Sequence, residues 1–208
     1  SYGSNDQCKF FTNTGTGYKD STKEAGLSGL VGGLNTVHAD YDNDGFTDIF
    51  ILRGAWLGKG GKYPNSLLKN MGNGTFKDVS KSSGILSFHP TQTAAWADVN
   101  NDGYLDLFIG NESRSDESHS CELYINQKNG KFLEESIKYN LSSINGFVKG
   151  VVFGDINNDQ LPDLYISIMG GNNLLYKNQN GFFKNISKSA GVEDPNFSFT
   201  CWFWDVNN

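Results

Sequence analysis

The chain has 208 residues, a formal net charge of −6 and 19% charged residues. This length allows one or two domains with a sizeable hydrophobic core. The acidic balance, without a cluster of Lys or Arg, argues against nucleic acid or an anionic membrane as a partner. No stretch resembles a membrane span or a signal peptide, so we expect no membrane insertion and an N-terminus that is either a mature end or an arbitrary cut.

The three cysteines, Cys8, Cys121 and Cys201, lie far apart in the sequence. They show no spacing typical of a metal site, and at most one disulfide is possible among them. Cysteine usage therefore does not fix the compartment in which the protein works.

The first predicted element is a β-hairpin near the start of the chain. Residues 9–27 read K-F-F-T-N-T-G-T-G-Y-K-D-S-T-K-E-A-G-L, with apolar residues on either side of a Gly-x-Gly core. A short glycine-containing turn between alternating apolar residues is a strong hairpin signal. Related phrases with an Asn-Gly turn return at residues 66–85, 122–141 and 173–192.

An acidic nonapeptide follows the first hairpin phrase and is repeated along the chain. It reads D-Y-D-N-D-G-F-T-D at Asp40–Asp48, recurs at Asp98–Asp106 and Asp155–Asp163, and begins again at Asp205. Two carboxylates about 4 Å apart cost on the order of 4 kcal/mol at an effective dielectric near 20, unless a cation lies between them. Oxygen ligands of this kind suit calcium, which accepts six to eight of them. Three bound divalent ions would neutralise the net charge; the alternative is a set of solvated Asx-turns without metal.

The same opening residues occur in EF-hands, but the rest of the motif differs. An EF-hand requires a glutamate at position 12 and a helix on each side of the loop. Position 12 is isoleucine in all three copies (Ile51, Ile109 and Ile166), and the flanks are short and rich in β-branched and aromatic residues. Such flanks are typical of strands. We therefore predict that the loop joins two strands and that the position-9 aspartate closes the ligand set.

Each repeat unit is predicted to contain four short strands. In the first unit these are Thr36–Asp40, Asp48–Leu52, Ser66–Asn70 and Thr75–Val79, with the acidic loop between the first two. A four-stranded antiparallel meander that repeats every 40 to 60 residues or so is typical of a β-propeller blade. A solenoid or a sandwich is also periodic, but neither explains why each unit carries the same two hairpins.

The predicted fold class is thus all-β, a β-propeller fragment of about three whole blades plus two partial ones. A single partial domain is expected over residues 1–208. Its parts are the end of a blade at 8–27, blades at about 34–80, 91–137 and 147–187, and the start of another blade at 198–208. The remaining blades of a larger propeller are an expected partner of this piece.

The repeats resemble those of the FG-GAP/VCBS family, which occur in integrin α-subunit propellers and in many secreted bacterial proteins. A-D-Y-D-N-D-G-F-T-D-I-F (39–50), W-A-D-V-N-N-D-G-Y-L-D-L-F (96–108) and the three hairpin phrases carry the likeness, which covers residues 8–208. The repeats are most similar to those of the cartilage acidic protein and ASPIC/UnbV-type group. This resemblance implies blades of a propeller that usually has six or seven of them, with calcium in the acidic loops.

By the same resemblance, positions 1, 3, 5 and 9 of each loop and the backbone carbonyl of position 7 hold the metal. The implied ligands in the three complete loops are Asp40, Asp42, Asp44, Phe46 and Asp48; Asp98, Asn100, Asp102, Tyr104 and Asp106; and Asp155, Asn157, Asp159, Leu161 and Asp163. An incomplete site would involve Asp205 and Asn207.

The three loops are expected to differ in affinity. The first offers four carboxylates, whereas Asn100 and Asn157 leave three in each of the others. In the third loop Gln160 replaces the glycine of position 6, and Pro162 stiffens the exit. A left-handed backbone at position 6 would cost a non-glycine residue roughly 1 kcal/mol. We predict about three Ca²⁺ sites, of which the third is the weakest.

The connections between the second and third strands of each unit vary most. The two arginines, Arg53 and Arg114, lie in the long connections, and Trp56 lies beside the first. Loops on a rigid scaffold often carry binding residues, so these three residues are candidates for a ligand-binding patch. The alternative is that these are solvated surface loops.

The sequence predicts a calcium-binding propeller module that acts in extracellular binding or adhesion and contacts a protein or glycan. Its calcium is structural, and its location is extracellular, at the cell surface or periplasmic. We expect no enzyme activity, because no Ser/His/Asp or Cys/His arrangement can be assembled. Two alternatives stay open: a non-catalytic or partial domain of a secreted polysaccharide-active enzyme, and a pure structural spacer.

Overall fold

A computed structural model describes residues 6–206. Over this range the chain forms one two-stranded and three four-stranded antiparallel sheets. Their strands are β1 (Phe11–Asn13), β2 (Tyr18–Asp20), β3 (Asn35–Ala39), β4 (Asp48–Leu52), β5 (Ser66–Asn70), β6 (Phe76–Asp78), β7 (Thr91–Ala97), β8 (Asp106–Asn111), β9 (Glu122–Asn126), β10 (Phe132–Glu134), β11 (Val148–Gly154), β12 (Asp163–Ile168), β13 (Leu174–Asn178) and β14 (Phe183–Asn185). Two single-turn helices follow β6 and β14, α1 (Ser80–Ser83) and α2 (Ser187–Ala190), and a 3₁₀ turn covers Gly58–Gly61.

Each four-stranded sheet is a meander in which sequential strands pair: β3 to β6, β7 to β10 and β11 to β14. The four strands predicted for the first unit are those observed, with shifts of one residue at the ends of β3 and β6. The glycine-containing turns and the alternating apolar residues therefore specify the hairpins correctly. The all-β propeller-blade fold is confirmed.

The acidic loop is a hairpin connection. Ala39 pairs with Asp48 across β3 and β4, and Ala97 with Asp106 and Gly154 with Asp163 pair in the same way. Strands therefore flank every copy, as expected from the flanking residues and in contrast to an EF-hand. Because the sheets are meanders, the acidic loops and the Asn-Gly turns lie at one end of the sheets, and the variable connections lie at the other end.

The sheets are packed face to face, and the core lies between them. One cluster contains Ala25 and Leu27 of the first hairpin unit with Ile51 and Leu68 of the first sheet. A second joins the first and second sheets, and a third joins the second and third sheets. Strand β8 contributes to both of these, because Leu107 and Phe108 point to opposite faces and both are fully buried. Each unit is therefore stabilised by its neighbours, as in other repeat proteins.

The last described residues lie along the third sheet without forming a strand. Ser167 Oγ donates a hydrogen bond to the Phe199 carbonyl (2.7 Å), and the Phe203 and Tyr165 rings are in edge contact. The strand expected at the start of the 198–208 unit is not formed up to residue 206, since no described segment pairs with it.

The described residues include no helix that is both long and apolar enough to span a membrane. The three cysteines are free thiols. Cys121 is buried in the cluster between the second and third sheets, and burial raises its pKa to about 12.

Candidate metal centre

The position-1 aspartate of each loop organises the backbone. In the first loop the Asp40 carboxylate accepts the N–H of Asp44 on Oδ1 (3.0 Å) and the N–H of Gly45 on Oδ2 (2.8 Å). Asp98 and Asp155 make the same pair of contacts in their own loops. A second contact also recurs, because the position-5 carboxylate accepts the N–H of position 7 at 3.0 Å in all three loops. Three sequences with different side chains at positions 2 and 7 therefore adopt one backbone.

The backbone is left-handed at positions 4 and 6 of every loop. Position 4 is asparagine, the non-glycine residue that tolerates this region best, with φ between 55° and 58°. Position 6 is Gly45 (φ 88°), Gly103 (φ 87°) and Gln160 (φ 67°). The prediction of a weaker third loop depends on a left-handed backbone at position 6, and that conformation is present. It is energetically unfavourable for Gln160, which is not glycine.

We predict that Gln160→Gly stabilises the protein by about 0.5–1 kcal/mol, because glycine adopts this φ without a steric penalty. Gly103→Gln is the matched change in the second loop and is expected to destabilise by a similar amount. Urea unfolding at fixed calcium concentration measures both. Equal stability of Gln160→Gly and the wild type would show that the third loop is unstrained.

The position-9 aspartates are buried and fully hydrogen-bonded to backbone. Asp106 accepts the N–H of Val99, at position 2, on Oδ2 (3.0 Å) and the N–H of Asn126, at the end of β9, on Oδ1 (2.8 Å). Asp48 and Asp163 accept the corresponding pairs of donors. Each of these aspartates thus joins the acidic loop to the third strand of its own sheet.

Burial of these carboxylates has an electrostatic cost. Burial raises the pKa of Asp48 to about 6 and that of Asp106 to about 7, and it also raises the pKa of Asp163. The backbone donors oppose the shift, whereas the other loop aspartates add to it through repulsion. A cation beside these groups would favour their charged form.

The first loop gathers its carboxylates most closely. Asp40, Asp42 and Asp48 each present an oxygen, and the three oxygens lie within 4.8 Å of one another. Within residues 6–206 this is the one group of three or more acidic, His or Cys side chains that meets this distance. Asp42 Oδ1 is buried and accepts no hydrogen bond from the described residues. An oxygen-only donor set with an unsatisfied buried oxygen fits a hard divalent cation.

Position 3 differs in the other loops. Asn100 Oδ1 accepts the N–H of Asp102 (3.1 Å), and Asn157 Nδ2 donates to Asp163 Oδ2 (3.4 Å). Asn157 therefore adds a third donor to the position-9 carboxylate of the third loop, whereas in the first loop Asp42 repels the Asp48 carboxylate. At the partial fourth copy, Asp205 is exposed and Asn207 lies outside the described residues.

A lysine lies beside the position-5 aspartate of each loop. The Lys69 ammonium contacts Asp42 and lies 2.9 Å from Asp44 Oδ2. Hydrogen bonding to Asp42 raises the pKa of Lys69, and the Lys69 contact lowers that of Asp44. Lys128 and Lys177 approach Asp102 and Asp159 at 3.5 and 3.6 Å. These lysines, of which Lys69 and Lys177 are partly buried and Lys128 is exposed, offset part of the loop charge and would compete with a metal ion for the same oxygens.

The loops also contact the neighbouring units. Asn126 Nδ2 donates to the Tyr41 carbonyl of the preceding loop (2.8 Å), and Asn178 Nδ2 donates to the Val99 carbonyl (2.8 Å). Asn43 Nδ2 in the first loop donates to the Gly103 carbonyl of the second (2.9 Å). The side chains of Tyr41 and Val99 are buried in the clusters between sheets. The shape of each loop therefore affects how one sheet sits on the next.

These asparagine links were not predicted from the sequence, although the signal is present. Asn70, Asn126 and Asn178 each end the third strand of a unit. Their recurrence could have identified them as structural residues. A second recurring set consists of serines that follow the fourth strand of each unit. The Oγ atoms of Ser80, Ser136 and Ser187 accept N–H groups of the third strand at 2.7 to 2.9 Å.

The other candidate binding residues lie at the opposite end of the sheets. Trp56 is 37% exposed, and Arg114 Nη2 donates to its carbonyl (2.8 Å), so the structure brings these two together. Arg53 is separate from them and buried, with its donors directed at the Val31 and Pro64 carbonyls and at a serine hydroxyl. An exposed patch therefore consists of Trp56 and Arg114, without Arg53.

A buried ion pair between Lys149 and Glu112 contacts Trp56. Lys149 is fully buried, contacts the Glu112 carboxylate and donates to Gln92 Oε1 (2.8 Å). Its ammonium lies 3.4 Å from the Trp56 ring centroid and 3.7 Å from that of Phe147, which is a cation–π arrangement. Glu112 also accepts the N–H of Trp56 (2.7 Å). This cluster joins three successive units at the end remote from the acidic loops.

Comparison with known proteins agrees with the repeat structure and its acidic loops. The model of the FG-GAP-like repeat matches residues 40–109 and 98–166, so the chain belongs to this repeat family. It is 29% identical to cartilage acidic protein 1 of Xenopus tropicalis over 155 residues, which are 74% of this chain and 22% of that protein. The human and mouse proteins of the same name are each 29% identical over 180 residues, 85% of this chain. The chain spans about a quarter of the length of these relatives.

Proposed function

We propose that this chain is a calcium-binding propeller module that works outside the cell or at its surface and binds a protein or glycan. The calcium assignment rests on the first loop, where oxygens of Asp40, Asp42 and Asp48 lie within 4.8 Å of one another. Asp42 Oδ1 is buried there and accepts no hydrogen bond from residues 6–206. Positions 1, 3, 5 and 9 would supply side-chain oxygens, and Phe46, Tyr104 and Leu161 would supply carbonyls.

The calcium acts structurally in this proposal. A bound ion replaces repulsion among the loop carboxylates with attraction and offsets the burial of Asp48 and Asp106. Because Asn126 holds the first loop to the second sheet through the Tyr41 carbonyl, the ion also stiffens contacts between units. Binding to the folded form stabilises that form by mass action.

The binding role rests on the end of the sheets opposite the loops. Trp56 and Arg114 are exposed, held in place by Glu112 and Lys149, and displayed by the least regular connections of the chain. An ordered Trp and Arg are the residue types that dominate many recognition surfaces. Loops of weak affinity fill only where calcium is near millimolar, which supports an extracellular, cell-surface or periplasmic location.

Calcium titration of single-loop variants tests the proposal. We expect about three ions per chain for the wild type by isothermal titration calorimetry. Asp42→Asn should cause a larger loss of affinity than Asp159→Asn, since the first loop gathers the most carboxylates and the third is strained at Gln160. Lys131→Met, in the Asn-Gly turn of the second unit, is a charge-change control. A larger loss from Asp159→Asn would contradict the predicted order, and no calcium binding would contradict the proposal.

A further inference from the structure

Arg53 is a buried cation that has no acidic partner among residues 6–206. The residue is 8% exposed and follows β4 directly. Its Nε donates to the Val31 carbonyl, and its Nη1 donates to the Pro64 carbonyl and to Ser66 Oγ, all at 2.9 Å. In the part of the chain that the structure describes, these neutral acceptors are its hydrogen-bond partners, and no carboxylate lies within ion-pair distance. Burial lowers the pKa of Arg53 from its ordinary value.

This arrangement is unusual because buried charges are normally paired. The fully buried Lys149, by contrast, contacts the Glu112 carboxylate. Asp78 attracts the Arg53 charge but forms no hydrogen bond with it. Nη2 of Arg53 makes no hydrogen bond to the described residues. It is also not among the fully buried side-chain atoms of those residues that lack a hydrogen-bond partner. Within residues 6–206 this nitrogen can therefore donate to an added acceptor.

Arg53 lines a cavity between the first hairpin unit and the first sheet. The cavity has a volume of about 510 Å³, which lies in the range of roughly 300–1,000 Å³ typical of small-molecule sites. Four of its lining residues are large apolar side chains that are 37–45% exposed: Val31, Leu34, Leu57 and Tyr63. A buried positive charge with an apolar surround is complementary to an amphipathic anion.

We propose that this cavity binds a small amphipathic carboxylate. The carboxylate would accept from Nη2 of Arg53, and the apolar body would cover Leu34, Leu57 and Tyr63. One guanidinium matches a single negative charge, and Asp6, which also lines the cavity, disfavours a more highly charged group such as phosphate. The cavity contains no residue of the acidic loops, so a failure of this proposal would not affect the calcium proposal.

The test uses sodium octanoate as the probe and the 208-residue chain in calcium-containing buffer. Isothermal titration calorimetry should show saturable binding with one octanoate per chain. Octanol lacks the charge and acetate lacks the apolar body, so each should bind at least tenfold more weakly; inorganic phosphate should not bind. Arg53→Met should weaken octanoate binding at least tenfold. Lys59→Met removes a positive charge from an exposed residue of the same connection, outside the cavity lining, and should leave affinity unchanged.

A second variant keeps the test decisive if Arg53→Met does not fold. Leu57→Ser changes a half-exposed lining residue, and circular dichroism should show an unchanged fold with octanoate affinity lowered at least threefold. The proposal is overturned if the wild type shows no saturable octanoate binding, if octanol binds as well as octanoate, or if the folded Arg53→Met or Leu57→Ser protein binds octanoate as the wild type does.

Discussion

Removal of calcium with EDTA will lower the melting temperature of this chain substantially. A site filled at one hundred times its Kd stabilises the folded form by about 2.7 kcal/mol. For a domain of this size, such a loss at one site corresponds to a fall of roughly 5–11 °C, and loss of several sites gives more. The physical reason is the repulsion among the loop carboxylates, together with the burial of Asp48 and Asp106, which the ion offsets.

Thermal unfolding followed by circular dichroism measures this effect. Excess Ca²⁺ after chelation should restore the original melting temperature, whereas Mg²⁺ should restore less of it, because Mg²⁺ dehydrates reluctantly and requires near-octahedral geometry. An unchanged melt in EDTA would count against a structural role for the metal.

Neutralising Glu112 is the second change with a large expected effect. Glu112→Gln should destabilise the protein by about 3–5 kcal/mol, because it leaves the fully buried Lys149 ammonium without its counter-ion. The aromatic faces of Trp56 and Phe147 and the Gln92 oxygen remain, but they offset only part of the desolvation of the charge. Urea unfolding at fixed calcium concentration measures the change.

Two further variants separate charge from packing in this cluster. The double variant Glu112→Gln with Lys149→Met should recover much of the lost stability, since an apolar replacement of a buried pair is often neutral. Glu135→Gln breaks the exposed pair with Lys138 and should cost no more than about 1 kcal/mol. If Glu112→Gln lowers the free energy of unfolding no more than Glu135→Gln does, Glu112 does not stabilise the buried Lys149 charge.

The local elements of this fold could be predicted from the sequence because each has a local cause. Alternating apolar residues around Asn-Gly turns specify the hairpins, and apolar residues at position 12 of the acidic motif exclude an EF-hand. The repetition of these signals indicated blades. Even the strain at Gln160 could be anticipated, because the two other copies carry glycine at that position.

Contacts between units could not be predicted in the same way. The link from Asn126 to the Tyr41 carbonyl joins residues far apart in the sequence, and it depends on how two sheets pack. Lys69 was not expected beside Asp42 and Asp44, because its position in the third strand gives no indication of the loop above it. Arg53 belongs to a polar, glycine-rich connection that suggests exposure, but it is buried against Val31 of the first hairpin unit and against Pro64 and Ser66 of its own unit.

The position of His38 shows the limit of aligning repeats. In the aligned repeats His38 occupies the position of Trp96 and Phe153. The side chain is exposed, whereas Trp96 and Phe153 pack against the cores between sheets. Equivalent positions in successive units have different neighbours. The burial of each side chain therefore depends on the unit that packs beside it.

A crystal structure determined from crystals grown with Ca²⁺ would show whether the acidic loops hold metal. We expect an ion in the first loop, with oxygens of Asp40, Asp42, Asp44 and Asp48 and the Phe46 carbonyl at about 2.3–2.6 Å, and a corresponding ion bound by Asp98 and Asp106. Well-resolved water alone among these oxygens at high calcium concentration would contradict it.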